Sequence, residues 1–269
     1  MNREIFNNSN FEKQIRENGY LIIPLLSDNE VAQLLEKYIQ KRPNIKVGFH
    51  STSTNNDIEY RKEVDAFIKS IFEPKAKELL IDYSPVYSSF VVKEPGKEGN
   101  FPLHMDWSMV DERNYVSLAF WAPLIVVNKE NGPLQVLEKS HKLGLSFRGG
   151  PHLFQLIEKK DEIKNKKFKL KTLEVKPGEV VIYDHRLFHG SSINYSSTTR
   201  PALNFTVIPN EAQLIHYQFS NNKLYQFNID KKFFLEYIMG TLPSQYISTS
   251  LSYKEGLLLD DKIISNFVL

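Results

Sequence analysis

Two short segments place histidines where they could do chemistry. In Phe101-Pro102-Leu103-His104-Met105-Asp106-Trp107, an imidazole and a carboxylate stand two residues apart. On a strand that spacing turns both side chains to one face, where they could meet a single ion. The second segment, Tyr183-Asp184-His185-Arg186-Leu187-Phe188-His189-Gly190-Ser191-Ser192, carries two more imidazoles, and a β-sandwich can fold it beside the first. Two imidazoles and one carboxylate on one face of an octahedral ion leave three positions open, the arrangement used by non-haem Fe(II) oxygenases; zinc is more often held tetrahedrally. A His-x-Asp pair by itself is also what a hydrogen-bonded strand end looks like, so the pair alone does not decide. Further on, Arg200 leads the apolar run Pro201–Phe205. A guanidinium drawn into a sheet interior needs an anion, and a bidentate carboxylate is its best geometric match. At an exposed strand end it would instead pair with Asp or Glu.

Composition narrows the rest. The chain has 269 residues, 41% hydrophobic and 25% charged, which is ordinary globular usage. A net charge of +2 gives no electrostatic reason to expect nucleic acid or an anionic membrane as partner. With 0 cysteines, disulfides, iron–sulfur clusters, thiolate zinc sites and cysteine nucleophiles are excluded together, so any metal must be held by His, Asp or Glu. The first ten residues show no signal-type apolar stretch and no run approaches a membrane span, so the expectation is a soluble, cytoplasmic protein.

The elements that must position these residues fall into two textures. Phe11–Gly19 reads as a short helix stopped by Asn-Gly, Tyr20–Leu26 as an apolar strand, and Ser27 with Glu30 as a capping box before a helix through Tyr38 that Pro43 ends. A second long helix is predicted over Ile58–Leu80, kinked or divided at Pro74. From Tyr83, β-branched and aromatic runs between turn residues predict an antiparallel sandwich or barrel, with strands Tyr87–Lys93, Tyr115–Pro123, Gln135–Leu137, Leu170–Val175, Glu179–Tyr183 and Ala202–Pro209. Lys129–Pro133 and Lys176–Gly178 are turns. Beyond Asn210 one more strand and a helix from Asp230 through Met239 are predicted. No linker or repeat interrupts the chain, so one domain over 1–269 is expected: a mostly helical part at 1–82, a β core at 83–209 and an extension at 210–269. The lysine-rich stretch Glu158–Lys171 reads as a solvated loop, or alternatively as a lid or docking surface for an anionic substrate handle.

The chain resembles the phytanoyl-CoA dioxygenase family of Fe(II)/2-oxoglutarate-dependent oxygenases. The likeness rests on Phe101–Asp106, on Phe120-Trp121-Ala122-Pro123-Leu124, on Glu130–Leu137 with Ser140-His141-Lys142, and on Val175–His189 leading to Arg200. Asn18–Ile23 and Leu26–Val31 are similar to the family's N-terminal elements, and only the region beyond about Asn210 is uncovered. The resemblance implies a mainly β fold, a double-stranded β-helix (a cupin-like jelly roll) with flanking N-terminal helices. It implies His104, Asp106 and His189 as iron ligands, the HGS context and the step to Arg200 favouring His189 over His185. It implies Arg200 as the partner of the distal carboxylate of 2-oxoglutarate, Lys93 as a second cation facing that cosubstrate, and Ser191 as a hydroxyl near the same carboxylate. The implied cofactors are Fe(II), 2-oxoglutarate and O2. The implied reaction is hydroxylation of an unactivated C–H bond with release of succinate and CO2, and the retained Asp106 argues against halogenation.

The substrate expected is a small metabolite, short peptide or natural-product intermediate. The alternatives are an acyl-CoA or carrier-tethered substrate, a jelly-roll binding or structural protein with a vestigial metal site, and a cupin hydrolase or isomerase that consumes no oxygen. Substrate choice is expected in Gly48–Asn56, Ser108–Tyr115, Phe147–Phe154 and Tyr217–Tyr237, with Phe154, Tyr217, Phe219, Tyr225 and Phe227 suggesting an amphipathic pocket. Trp107 and Trp121 read as core or pocket wall. His141 reads as structural near the site, and His50, His152 and His216 as solvent or packing residues.

Overall fold

The computed structural model describes residues 3–45, 47–143, 146–150, 154–157, 167–221, 223–238, 241–251, 257–258 and 268. Asn8 accepts from the amides of Asn10 and Phe11 and starts α1 (Ser9–Asn18), which Gly19 ends in the left-handed region at φ 86°. A Cβ on Gly19 would meet His141 Nδ1 at 2.5 Å, so the position needs glycine for space as well as conformation. The chain turns at once into β1 (Tyr20–Pro24), and the Ser27–Glu30 capping box opens α2 (Asp28–Lys41). After the short β2 (Phe49–Ser51), which the sequence reading missed, comes α3 (Ile58–Leu79). Pro74 does not divide α3. Val64 and Ile68 on one side of it and Ala76 on the other bury against the sheet together with Phe72, and that packing outweighs one missing intrahelical hydrogen bond.

The sheets carry the site. The strands are β3 (Tyr83–Lys93), β4 (Phe101–His104), β5 (Leu118–Pro123), β6 (Leu134–Leu137), β7 (Ser146–Gly150), β8 (Phe154–Ile157), β9 (Leu170–Leu173), β10 (Glu179–Asp184), β11 (His189–Ser191) and β12 (Arg200–Pro209). They continue as β13 (Ile215–Ser220), β14 (Lys223–Asn228), β15 (Ser248–Leu251) and β16 (Leu257–Leu258). A six-stranded sheet runs β1-β10-β5-β12-β3-β2 and a four-stranded one β4-β11-β6-β9. These are the two faces of the expected jelly roll. Strand periodicity serves both sides of the larger sheet. Phe90, Phe120, Ala122, Ile182, Leu203 and Phe205 pack under the helices, while Ala119, Trp121, Val181, Tyr183 and Ala202 face the smaller sheet with Leu134 and Val136.

A third sheet, β15-β14-β13-β7-β8-β16, was not foreseen. It joins the stretch after Gly144 to the C-terminal region, where one strand and a long helix were expected. In place of that helix stands a single turn, α4 (Phe233–Glu236). Asp230 Oδ1 accepts from the amides of Lys232 and Phe233, but Tyr237 leaves the helix at φ −61°, ψ 132° and packs its ring on Trp107, His216 and Phe233. Of the lysine-rich stretch, residues 158–166 lie outside the described residues, as does Met239; Lys171 pairs with Glu138 at 3.4 Å. Among the described residues no helix is long and apolar enough to cross a membrane.

Phe72 tests the layer between helices and sheet, because its fully buried ring meets Phe205 at 5.3 Å and Phe120 at 6.4 Å. Phe72→Ala is expected to lower unfolding free energy by ~3–5 kcal/mol, read from the urea midpoint at unchanged slope.

Candidate metal centre

His189 and His104 are directly opposed where β11 pairs with β4. The close approach is paid for in sequence by Gly190, where a Cβ would meet the backbone oxygens of Phe101 at 2.8 Å and Pro102 at 2.9 Å. Each imidazole is oriented by the carbonyl two residues before it: His104 Nδ1 lies 2.9 Å from the oxygen of Pro102, and His189 Nδ1 3.0 Å from that of Leu187. A carbonyl only accepts, so Nδ1 carries the proton, and in the neutral ring the lone pair is on Nε2. Both Nε2 atoms face Asp106 Oδ1, at 3.9 Å from His104 and 3.7 Å from His189. Ligand atoms of His104, Asp106 and His189 all lie within 4.8 Å of one another, a spacing that one ion can bridge.

Asp106 reaches this point by a route different from the one its spacing predicts. Strand β4 ends at His104, so strand alternation does not aim Asp106. Its amide donates to the His185 carbonyl at 3.1 Å, and its own carbonyl accepts from Arg148 Nε at 2.6 Å. Arg148 is fully buried and forked onto Glu112, with Nη1 to Oε2 at 2.8 Å and Nη2 to Oε1. A buried ion pair thus pins the loop that presents the carboxylate. His185 stays behind this loop, with Nδ1 3.3 Å from the Trp107 carbonyl and Nε2 4.0 Å from Asp106 Oδ2. The converging group contains His189 and not His185.

Electrostatics suit a metal. Burial, reinforced by His189, pushes His104 down to about 4, so the ligand nitrogen is unprotonated at neutral pH. Burial alone would raise Asp106, but His189, His185, His104 and the Tyr183 hydroxyl together hold it below the usual carboxylate range. Asp106 Oδ2 has no hydrogen-bond partner.

The three residues open onto a cavity of about 790 Å³. On its wall stands Arg200, 1% exposed, with Nε and Nη1 unpartnered and the guanidinium 5.4 Å from the Trp121 ring centre. Burial pushes it down to about 10, which leaves it charged. Ser191 also lines the cavity. Lys93, opposite Arg200 in the β3–β12 pairing, is fully buried and donates to the carbonyls of Ser191 at 2.9 Å and Ser192 at 2.5 Å, off the cavity wall. Its amine is occupied by protein oxygens. Burial, then Arg200, pushes Lys93 down to about 7.

The expected specificity segments divide. Gly48–Asn56 does line the cavity, from Phe49 to Asn56, and His50 is a buried wall residue 3.3 Å from Glu94 rather than a solvent or packing residue. Tyr217, Phe219, Tyr225 and Phe227 are not on the cavity wall: Tyr225 and Phe227 pack in the cluster behind Phe234 and Tyr237, Tyr217 and Phe219 in a separate one, and the Phe154 side chain lies outside the described residues. The aromatic wall is instead Phe49, Tyr87, Phe101, Trp107, Phe234 and Tyr237. His141 lies under α1, 3.1 Å from the Arg16 carbonyl, and His216 packs on Trp107 and Phe233. Arg61, Glu112 and Arg148 were missed, because pairs this remote in sequence leave no local pattern.

The family model described as phytanoyl-CoA dioxygenase matches residues 15–202. Phytanoyl-CoA dioxygenase 1 of Oryza sativa subsp. japonica is 30% identical over 129 residues, 47% of this chain and 45% of that protein, so the match spans under half of the curated relative. Among solved structures, the epimerase SnoN in complex with Fe3+, alpha ketoglutarate and nogalamycin RO aligns at a TM-score of 0.57 and 16% identity over 94% of this chain and 96% of that one. The non-heme alpha ketoglutarate dependent carbocyclase SnoK from nogalamycin biosynthesis aligns at 0.54 and 20% identity over 77% and 86%. At these identities the likeness is one of fold.

Glu112→Leu tests the pin on Asp106. It removes the carboxylate fork from a buried guanidinium, so a loss of ~3–5 kcal/mol in stability is expected, with ~10–100-fold weaker Mn(II) binding by calorimetry. Glu112→Leu combined with Arg148→Met should recover stability but not metal affinity.

Proposed function

The chain belongs to the phytanoyl-CoA dioxygenase family of Fe(II)/2-oxoglutarate-dependent oxygenases, and from that premise we propose that it hydroxylates an unactivated C–H bond of a small molecule, with release of succinate and CO2. The observation that carries the reading is the pairing, in one cavity, of the His104, Asp106 and His189 group with a buried arginine that has no counter-ion among the described residues. A protein that used Arg200 only for structure would give it a carboxylate; this one leaves the guanidinium facing the space beside the metal group. The unpartnered Arg200 Nε and Nη1 and Asp106 Oδ2 fit a bound dicarboxylate and a bound cation respectively.

In this reading His104 Nε2, His189 Nε2 and the Asp106 carboxylate would hold Fe(II) at the cavity. The iron, once loaded with 2-oxoglutarate and O2, supplies the oxidising power. The chain's own part is placement. Arg200 binds the distal carboxylate of 2-oxoglutarate and so fixes the keto acid end toward the three ligands, while Trp121 covers the guanidinium face and keeps water from it. Lys93 ties down the Ser191 and Ser192 carbonyls from behind the wall, and Ser191 on the wall offers a hydroxyl to the same carboxylate. Phe49, Phe101 and Trp107 exclude water around the substrate C–H. A retained carboxylate at Asp106 leaves no position for a halide on that side, which favours hydroxylation.

Purified protein given Fe(II), ascorbate, O2 and 2-oxoglutarate is expected to release succinate slowly even before its substrate is known. Arg200→Leu should raise the 2-oxoglutarate KM at least tenfold with a smaller change in kcat. Succinate release unaffected by Arg200→Leu contradicts the assignment of the cosubstrate carboxylate to this residue.

A further inference from the structure

A second guanidinium in the cavity has no task in the reaction so far. Arg61, in the first turn of α3, is 5% exposed and lines the same cavity as the metal group. Its Nη1 donates to the Tyr237 carbonyl at 3.1 Å, and its Nε is buried with no hydrogen-bond partner. Among the described residues no carboxylate forms an ion pair with it. The acidic groups that act on it are both engaged: Asp57 caps α3 by accepting from the amides of Glu59 and Tyr60, and Glu236 lies 3.9 Å from Lys62. Burial pulls Arg61 below the ordinary arginine range against those two carboxylates.

A cation held this way costs stability unless something completes it. With Nη1 committed to a carbonyl, the edge that remains is the one formed by Nε and Nη2, the fork that matches two oxygens of a carboxylate. Asn55 and Asn56 line the same cavity, as do Trp107, Phe234 and Tyr237. The Tyr87 and Phe234 rings stack at 5.3 Å and Trp107 meets Tyr237 edge-on at 6.0 Å, so much of the remaining wall is apolar aromatic surface. We propose that Arg61 anchors the substrate through a carboxylate, so that this pocket takes an organic acid with an apolar or aromatic body rather than a neutral or cationic molecule. The inference rests on the oxygenase reading, because it names the substrate class for that same cavity. Arg200 takes the carboxylate of the cosubstrate and Arg61 that of the substrate.

Both tryptophans of the chain, Trp107 and Trp121, line the cavity, so intrinsic emission reports ligand entry. The test titrates metal-free protein with 3-phenylpropionate and octanoate, each against its primary amide. The acids are expected to bind at least tenfold more tightly than the amides. Arg61→Gln should erase that preference and Arg200→Gln should keep it, while Arg61→Lys should retain part of it, since a point charge replaces the fork. Thermal melts of all variants come first, because Arg61 also ties α3 to Tyr237; should Arg61→Gln fail to fold, Arg61→Lys and the acid–amide comparison in the wild type decide. Acids binding no better than amides, no binding of either acid, or a preference lost in Arg200→Gln and kept in Arg61→Gln overturns the proposal. Since no iron is present, failure here leaves the oxygenase reading standing, and failure of succinate release leaves this binding result standing.

Discussion

The opposition of His189 to His104 across the β11–β4 pairing fixes where everything else in the cavity must stand. A slip of one residue would turn one imidazole to the far face of the sheet and remove the converging nitrogens. Strand β11 spans only His189–Ser191, and it is held from both sides, by β4 and by β6, where His189 lies opposite Val136. Gly190 lets the strands approach, and the Pro102 and Leu187 carbonyls set the ring tautomers. Asp106 is then brought in from outside the ladder by Arg148 and Glu112. Two neighbouring strands and one pinned loop thus make a three-ligand face with open space beyond it.

The charge pattern around that face is the basis for proposing acidic ligands. His104 is neutral, Asp106 is the carboxylate of the metal group, and the guanidinium groups of Arg200 and Arg61 are buried on the wall of the same cavity. Arg200 and Lys93 stand opposite each other across β12 and β3, and the guanidinium adds to burial in disfavouring the charge of the lysine. The apolar walls lower the local dielectric, so each pairing made inside is stronger than the same pairing in water. Binding energy and orientation come from one set of residues.

What the sequence revealed and what it concealed divide along chain distance. The helix boundaries at Gly19 and Ser27 and the long core strands were legible because caps and alternation are local, whereas the start of α1 at Asn8 was placed too late and the grouping of His104, Asp106 and His189 came through the family resemblance. Arg200 was legible locally, as a basic residue at the head of an apolar strand. The third sheet was not, since β13 pairs in parallel with β7 across a long separation that no periodicity announces. Nor was the Glu112–Arg148 pair, or the meeting of Arg61 with Tyr237, which joins the start of α3 to the C-terminal region. The aromatic wall was misplaced for a related reason: Tyr225 and Phe227 have the composition of a pocket, but their hairpin buries them against Phe233 and its neighbours. Pro74 showed the opposite error, a local rule overridden by tertiary packing.

The central claim is that His104, Asp106 and His189 hold one Fe(II) with room left for a chelating keto acid. The most direct measurement is an anaerobic titration of the metal-free protein with Fe(II) and 2-oxoglutarate, followed by visible absorption for the charge-transfer band of an iron-bound keto acid. The account predicts a band that saturates at one iron per chain in the wild type and is absent in His104→Ala and His189→Ala, while His185→Ala retains it. A wild-type protein that folds but gives no band, or a band lost with His185 and kept without His189, would contradict it.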